Sequence, residues 1–338
     1  MSGDRPRVWV SRPTFDDVIA RLAPHFEVEA EPREIAFTGA ELAEKLAACD
    51  AAIVGLKERI GAGAIAAAAR LRIVANLAVG YDNIDVAALT AAGIAVTNTA
   101  DVLNESVADY AFALLLGAAR RVNAAERWVR AGHWHATEFK GWLGLDLVGR
   151  TLGILGMGRI GQAIARRARG FGLETLYHNR SRLPAALESE CGARWVARDA
   201  LIAAADFLIL TLPLTPATRH AIGAPELARM KPDAVLVNVA RGGIVDDAAL
   251  AAALAEGRLA AAALDVFEGE PAIHPALAAL DNVILSPHIA SATYGTRRAM
   301  TGLAVTNVLA FFGHGEHAGK PPNLVNPDVV PRTFAQNG

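Results

Sequence analysis

Cysteine, tyrosine and net charge are all scarce in this chain. Among 338 residues there are two cysteines, and Cys49 and Cys191 stand apart, with no CxxC or metal-ligand spacing around them. A disulfide scaffold and a zinc site are thereby excluded, and both thiols read as small core fillers. The formal net charge is only −2, which removes the electrostatic case for nucleic acid or an anionic membrane as a partner. No apolar run approaches the roughly 18 residues that span a bilayer. The greasiest stretch, 111–119, is bracketed by Asp109 and Arg120. The first ten residues carry Asp4, Arg5 and Arg7 and lack a signal-peptide core. A soluble cytoplasmic protein is the expectation. The hydrophobic content of 53% is inflated by alanine, a helix former that adds little core volume. The length suffices for two domains, each with its own core.

What is present is concentrated in residues 151–182. A short apolar strand (152–155) runs into Gly156-Met157-Gly158-Arg159-Ile160-Gly161, then a helix, then a second strand ending at Tyr177. Strand, glycine turn and helix in that order are the dinucleotide-binding fingerprint. Gly156 permits the tight turn, Gly158 lets backbone approach a pyrophosphate, and Gly161 lets helix pack on strand. The helix N-terminus offers free N–H groups and a positive dipole end to the phosphates.

A further absence selects among dinucleotides. An NAD site usually places an acid about 20 residues on, to bind the ribose 2′-hydroxyl. Here the position reads His178-Asn179-Arg180-Ser181-Arg182, without an acid, and Glu174 lies earlier as a solvated edge charge. Two guanidiniums and a hydroxyl suit a 2′-phosphate, so NADP(H) is expected with NAD(H) weaker. A hydrogen bond to a charged group is worth about 1.5–3 kcal/mol.

Ahead of the fingerprint, short strands at 7–11, 51–55, 73–77 and 94–97 alternate with helical segments at 15–22 and 62–70. A long helix opens near Val102, capped by Asn104 or Asp101. Buried-type strands follow at 207–210, 234–238, 261–264 and 283–285, then a helix over 297–312 and a Gly/Pro/Asn-rich tail (313–338) reading as surface coil. The pattern predicts an α/β chain of two domains built on parallel sheets with helical crossovers. The dinucleotide domain would span 103–290, and the two ends, 1–102 and 291–338, would pair as the substrate-binding domain. Two helices, starting near Val102 and Thr293, would act as hinges. A substrate would meet the nicotinamide in a cleft between domains.

Three polar residues lie at the ends of predicted strands: Arg241 after 235–240, Glu270 after 261–266 and His288 after 283–285. In an open parallel sheet those ends face the ligand crevice. Reduction of a ketone needs a proton for the developing alkoxide, which His supplies. A carboxylate behind the imidazole stabilises imidazolium. A guanidinium grips a 2-oxo acid bidentately and polarises its carbonyl. Read singly, His288 is more often a structural loop histidine, Glu270 a turn residue and Arg241 a strand cap.

Residues 70–330 resemble the D-isomer-specific 2-hydroxyacid dehydrogenase family in the strings NLAVGYDNIDVAAL, VADYAFALLLGAARR, GRTLGILGMGRIGQAIARRARGFG, LPLTPATRH, MKPDAVLVNVARGGIVDDAAL, AALDVFEGEP and SPHIASAT. The resemblance implies a Rossmann cofactor domain with a flavodoxin-like substrate domain, and Arg241, Glu270 and His288 as the catalytic set. It implies that Val79 and Gly80 bind the substrate carboxylate through backbone N–H groups, together with Arg241 and His288. Asp265 would hold the nicotinamide carboxamide. Leu212 and Pro213 would line the adenosine side, and Thr218, Val239, Ala240 and His288 complete the cofactor contacts. No metal is implied.

Within that family the segment ERWVRAGHW, the NRSR turn and the NLVNP tail are similar to glyoxylate/hydroxypyruvate reductases and 2-ketogluconate reductases. The resemblance implies NADPH-dependent reduction of glyoxylate, hydroxypyruvate and 2-ketogluconate to D-2-hydroxy acids by a homodimer. In such reductases an aromatic from the link that holds Trp142 reaches toward the neighbour's substrate; local packing under the hinge is the equal alternative. Lys57 and Leu56 are further candidates for the substrate pocket. Glu270 argues against formate dehydrogenases, which carry Gln there. Two alternatives stay open: an NAD-dependent D-lactate or phosphoglycerate type dehydrogenase, and a dinucleotide-sensing, co-repressor-like binding protein.

Overall fold

The computed structural model describes residues 5–331. The chain forms two units, one of residues up to Leu103 together with those from Thr293, the other Asn104–Ala292.

The first unit is a five-stranded sheet: β1 (Arg7–Val10), β2 (Glu27–Ala30), β3 (Ala51–Val54), β4 (Ile73–Asn76) and β5 (Ala95–Thr97). The order is β2-β1-β3-β4-β5 and each pairing is parallel. That is the flavodoxin-like order, with a switch point between β1 and β3. Period-two alternation divides the core. Val8, Val10, Ile53 and Ile73 pack with Ala304, Val305 and Val308 of the helix Tyr294–Phe311. Trp9, Val54, Val74 and Val96 pack on the other face with Leu42, Leu46 and Leu89.

Several expectations are corrected here. β2 went unread because it is an edge strand of sequence EVEA, largely exposed. The helix expected over 62–70 ends after Ala62–Ile65. The tail is more than surface coil as far as it is described. Asn98 N donates to Asn323 O and Val325 N to Val96 O, while Asn326, 6% exposed, accepts from Val96 N. An antiparallel bridge joins Thr97 to Leu324. The free edge of β5 needs partners for its N–H and C=O groups, and Asn323–Asn326 supply them. Residues 332–338, the rest of that tail, lie outside the described residues.

The second unit is a seven-stranded parallel sheet: β6 (Thr151–Leu155), β7 (Glu174–His178), β8 (Ala193–Trp195), β9 (Phe207–Leu210), β10 (Val235–Asn238), β11 (Ala261–Leu264) and β12 (Val283–Leu285). The order β12-β11-β10-β9-β6-β7-β8 is the doubly wound dinucleotide order, reversing between β6 and β9. β10 and β11 end at Asn238 and Leu264, the ends expected for the runs 234–238 and 261–264, so Val239, Ala240, Arg241 and Asp265 lie in the loops beyond. The helix Asn104–Ala119 packs on β10, β11, β12 and the fingerprint helix Arg159–Ala168, which explains its many apolar residues as core. The helix Val122–Arg130 is amphipathic yet buries no residue. Both cysteines are buried and free.

Candidate active site

The glycine turn has the geometry that a pyrophosphate needs. Gly156 sits at φ +105°, and a Cβ there would meet Thr211 backbone at 2.9 Å. A Cβ at Gly161 would lie 2.5 Å from Gly156 O, so helix and turn touch main chain to main chain. Nothing lies within 4 Å of a Cβ built at Gly158. Gly158 caps the helix Arg159–Ala168 without any side-chain acceptor, so the amides of the first turn, Ile160 and Gly161 among them, are placed to meet an anion. The cradle is open where phosphate belongs and closed by backbone elsewhere, so it fits a dinucleotide.

At the end of β7, Asn179 Oδ1 accepts from Met157 N at 2.6 Å. Asn179 thus holds the glycine turn to the next strand. Arg180 is exposed and, among the described residues, pairs with no carboxylate. Arg182 differs: its guanidinium grips Glu188 through Nε at 2.9 Å and Nη2 at 2.7 Å. Tyr177 Oη donates to the same carboxylate at 2.7 Å and accepts from Leu183 N at 2.8 Å. Arg182 and Tyr177 hold the Glu188 carboxyl down to about 2, and burial together with Glu188 pushes the Tyr177 phenol up to about 12. Of the two arginines expected to meet a 2′-phosphate, one is already neutralised. The acid responsible escaped the sequence reading because it sits in the following helix, Ala185–Cys191, and only the fold returns it to the turn.

Leu212 and Pro213 follow β9, and Thr218 closes their loop by donating to Pro213 O at 2.7 Å and accepting from Thr215 N at 2.8 Å. Val239 and Ala240 are each 8% exposed. Asn238 curls the end of β10: its Oδ1 accepts from Ala240 N at 3.1 Å and its Nδ2 donates to Arg241 O at 3.0 Å. A Cβ at Gly242 would lie 1.7 Å from Phe267 O, so only glycine lets the Arg241 loop lie against the loop that carries Glu270.

Those two loops and the one after β12 bring the three polar residues together. His288 Nδ1 meets Glu270 Oε2 at 2.8 Å, and Glu270 Oε1 accepts from Phe267 N at 2.9 Å. Burial pushes the Glu270 carboxyl up, but the His288 hydrogen bond and charge, the Phe267 amide and the Arg241 charge outweigh it and hold it below the usual carboxylate range. With Nδ1 engaged, Nε2 is the ring nitrogen left to face a substrate. His288 sits in the left-handed region at φ +56°, a conformation that costs a non-glycine residue about 1–2 kcal/mol. Asp265, fully buried, fixes it. Its backbone O accepts from His288 N at 2.9 Å, and its carboxylate accepts from Ser286 Oγ at 2.7 Å, Ile289 N at 2.9 Å and Ala290 N at 2.8 Å. A carboxylate offers about four acceptor positions, so Asp265 keeps one for the carboxamide expected there. Neighbouring Glu268 is held by His220 Nε2 at 2.9 Å, by Arg219, and by Asp247, which accepts from its N–H at 3.0 Å.

In the other unit, the loop after β4 holds Val79 and Gly80. Their carbonyls accept from Asn98 Nδ2 and Asn76 Nδ2, each at 2.9 Å. Lys57 is exposed and faces Glu34 at 3.7 Å. Trp142 packs edge-on to Trp128, ring centroids 5.5 Å apart, under the Arg121 guanidinium at 4.9 Å. These ring contacts are with its own arm, 121–142. Among the described residues, no group of three or more His, Cys, Asp or Glu side chains could hold a metal ion, and no helix is long and apolar enough to cross a membrane.

Residues 112–290 match the family described as D-isomer specific 2-hydroxyacid dehydrogenase, NAD binding domain. The chain is 48% identical over 333 residues to the glyoxylate reductase of Thermococcus onnurineus, covering 96% of this chain and 97% of that one. The chain belongs to the D-isomer specific 2-hydroxyacid dehydrogenase family. The glyoxylate reductase of Pyrococcus furiosus is 47% identical over 330 residues, again 96% of this chain and 97% of the relative. Among solved structures, the NADPH-dependent glyoxylate/hydroxypyruvate reductase of Sinorhizobium meliloti, in complex with NADP and malonate, superposes with a TM-score of 0.85 at 39% identity. The alignment spans 97% of this dehydrogenase and 99% of that chain. The family model is that of an NAD binding domain, and its match covers the glycine turn 156–161.

Proposed function

We propose that this dehydrogenase is an NADPH-dependent reductase of glyoxylate and hydroxypyruvate, and of 2-ketogluconate, forming the D-2-hydroxy acid, and that it works as a cytoplasmic homodimer. The observation that carries the reading is the 2.8 Å contact of His288 Nδ1 with Glu270, beside an arginine close enough to lower that carboxylate's pKa. Relatives named glyoxylate reductase at 45–48% identity support the choice of substrate. The Sinorhizobium reductase, described as NADPH-dependent, and the uncompensated charge of Arg180 support the choice of cofactor. The exposed Val122, Val129, Trp134, Phe139 and Leu143 of the arm that follows the helix Asn104–Ala119 support self-association.

Bound NADPH supplies the hydride. His288, protonated and held through Nδ1 by ionised Glu270, keeps a proton on Nε2 for the carbonyl oxygen. Glu270 stabilises the imidazolium and fixes the ring. Arg241 pairs with the substrate carboxylate and draws charge toward the carbonyl oxygen. The amides of Val79 and Gly80 take the carboxylate by hydrogen bonds without a counter-ion. Asn179 keeps the glycine turn in place, and Arg180 with Ser181 receives the 2′-phosphate.

Initial rates with NADPH and NADH against glyoxylate, hydroxypyruvate, 2-ketogluconate and pyruvate, followed by nicotinamide absorbance, test the reading. Strong NADPH preference with turnover on the first three is expected. Preference for NADH, or for pyruvate, would replace it with the D-lactate type alternative.

A further inference from the structure

The loop after β4 has an unusual division of its polar groups. Four successive carbonyls are tied to the protein: Ala78 O by Thr99 N at 2.9 Å, Val79 O by Asn98 Nδ2 at 2.9 Å, Gly80 O by Asn76 Nδ2 at 2.9 Å and Tyr81 O by Ile84 N at 2.9 Å. The N–H groups of Val79, Gly80 and Tyr81, by contrast, donate to no acceptor among the described residues. A trans peptide is planar, so its N–H points opposite to the C=O of the preceding residue. Fixing the carbonyls of 78, 79 and 80 therefore aims the amides of 79, 80 and 81 the other way, as a preformed anion-binding concavity.

We propose that Asn98 and Asn76 are positioning residues for carboxylate recognition: each holds a carbonyl so that the following amide faces the substrate. The proposal rests on the reading that this loop binds the carboxylate. Asn76 is wholly buried and is held in turn by Asn83 Oδ1 at 3.3 Å. The Asn83 amide donates to Gly55 O at 3.0 Å and Glu58 O at 3.1 Å. Glu58, 3% exposed, accepts from Gly55 N at 2.7 Å and Arg12 Nη2 at 2.9 Å. The support thus runs from the end of β1 through the end of β3 to the loop. Neutral amides suit the task, because they donate to a carbonyl without competing as counter-ions. An aspartate in either place would fail as a donor and repel an anion.

The test uses Asn98→Ala, Asn98→Asp (the same size, without the donor) and Asn76→Ala. The readouts are glyoxylate kinetics, inhibition by oxamate (a non-reducible 2-oxo acid analogue), NADPH binding by fluorescence, and short-time hydrogen–deuterium exchange of peptide 77–83. Each alanine variant is expected to raise the glyoxylate KM and oxamate Ki about tenfold, with kcat and NADPH affinity unchanged, and to lose oxamate protection of peptide 77–83. Wild-type KM, Ki and protection in folded variants would overturn the positioning role and leave the loop reading standing. Absence of oxamate protection in the wild-type enzyme would remove the loop reading, and the proposal with it.

Discussion

At the carboxyl ends of β10, β11 and β12 the dehydrogenase presents side chains: a guanidinium that donates to Ala240 O, a carboxylate that accepts from Phe267 N and an imidazole that meets the Glu270 carboxylate. At the carboxyl end of β4 it presents main chain, and the side chains there, Asn76, Asn83 and Asn98, turn inward to hold it. Both sheets are parallel and both carry the proposed site groups beyond the strand ends, yet the inventories are opposite. The reason is chemical. Proton transfer and charge polarisation need groups that titrate or carry charge, which only side chains supply. Gripping a carboxylate whose position must not vary needs donors that do not titrate and have few rotamers, which backbone amides supply.

The comparison breaks most readily at His288. His288→Ala is expected to lower kcat about 10²- to 10⁴-fold while NADPH still binds. More than a tenth of wild-type turnover would mean that the proton comes from elsewhere. Next in size, Gly158→Ala and Gly161→Ala separate ligand space from packing space. Gly158 has open space around a Cβ and φ −76°, so the variant should unfold in urea as the wild type does and bind NADPH at least about tenfold more weakly. Gly161→Ala meets backbone at 2.5 Å and should cost about 1–3 kcal/mol in the same urea titration.

A smaller effect sharpens the role of the β7 turn. Arg180→Ala should raise the KM for NADPH about ten- to a hundredfold and leave NADH unaffected. Arg182→Ala should change NADPH less, since Glu188 already holds that guanidinium. Equal losses would mean that Glu188 releases Arg182 to the phosphate. The smallest effect is on stability. The Glu188 carboxyl titrates near 2 in the fold and near 4.3 when free. Its contribution is therefore complete above the free value and is lost as pH falls toward the folded one. Glu188→Gln should unfold at lower temperature than wild type at pH 7, with the gap closing between about pH 5 and pH 2. A gap that holds constant with pH would place the effect in packing.

Much of this was legible from one dimension. The fingerprint from Gly156 to Gly161 was readable because its strand, turn and helix are contiguous, as was the placement of Arg241, Glu270 and His288 just past apolar runs. What escaped depends on returns of the chain. Glu188 comes back to Arg182 through a helix, the tail at Asn323–Asn326 comes back to the edge of β5, and Asn76, Asn83 and Asn98 look like ordinary polar loop residues until their partners are known. Short edge strands such as β2 and β8 were missed because only one residue between them is buried and they carry little apolar signal.

The sequence by itself determined the class of fold and the chemical types at its strand ends, because period-two burial and glycine turns are local rules written in successive residues. Only the tertiary structure decided which charges are free and which are spent, which carbonyls are tied down and which amides are left open. Those are properties of partners that turns and helices of the chain bring together, and distance in space, not order in the chain, sets their energies.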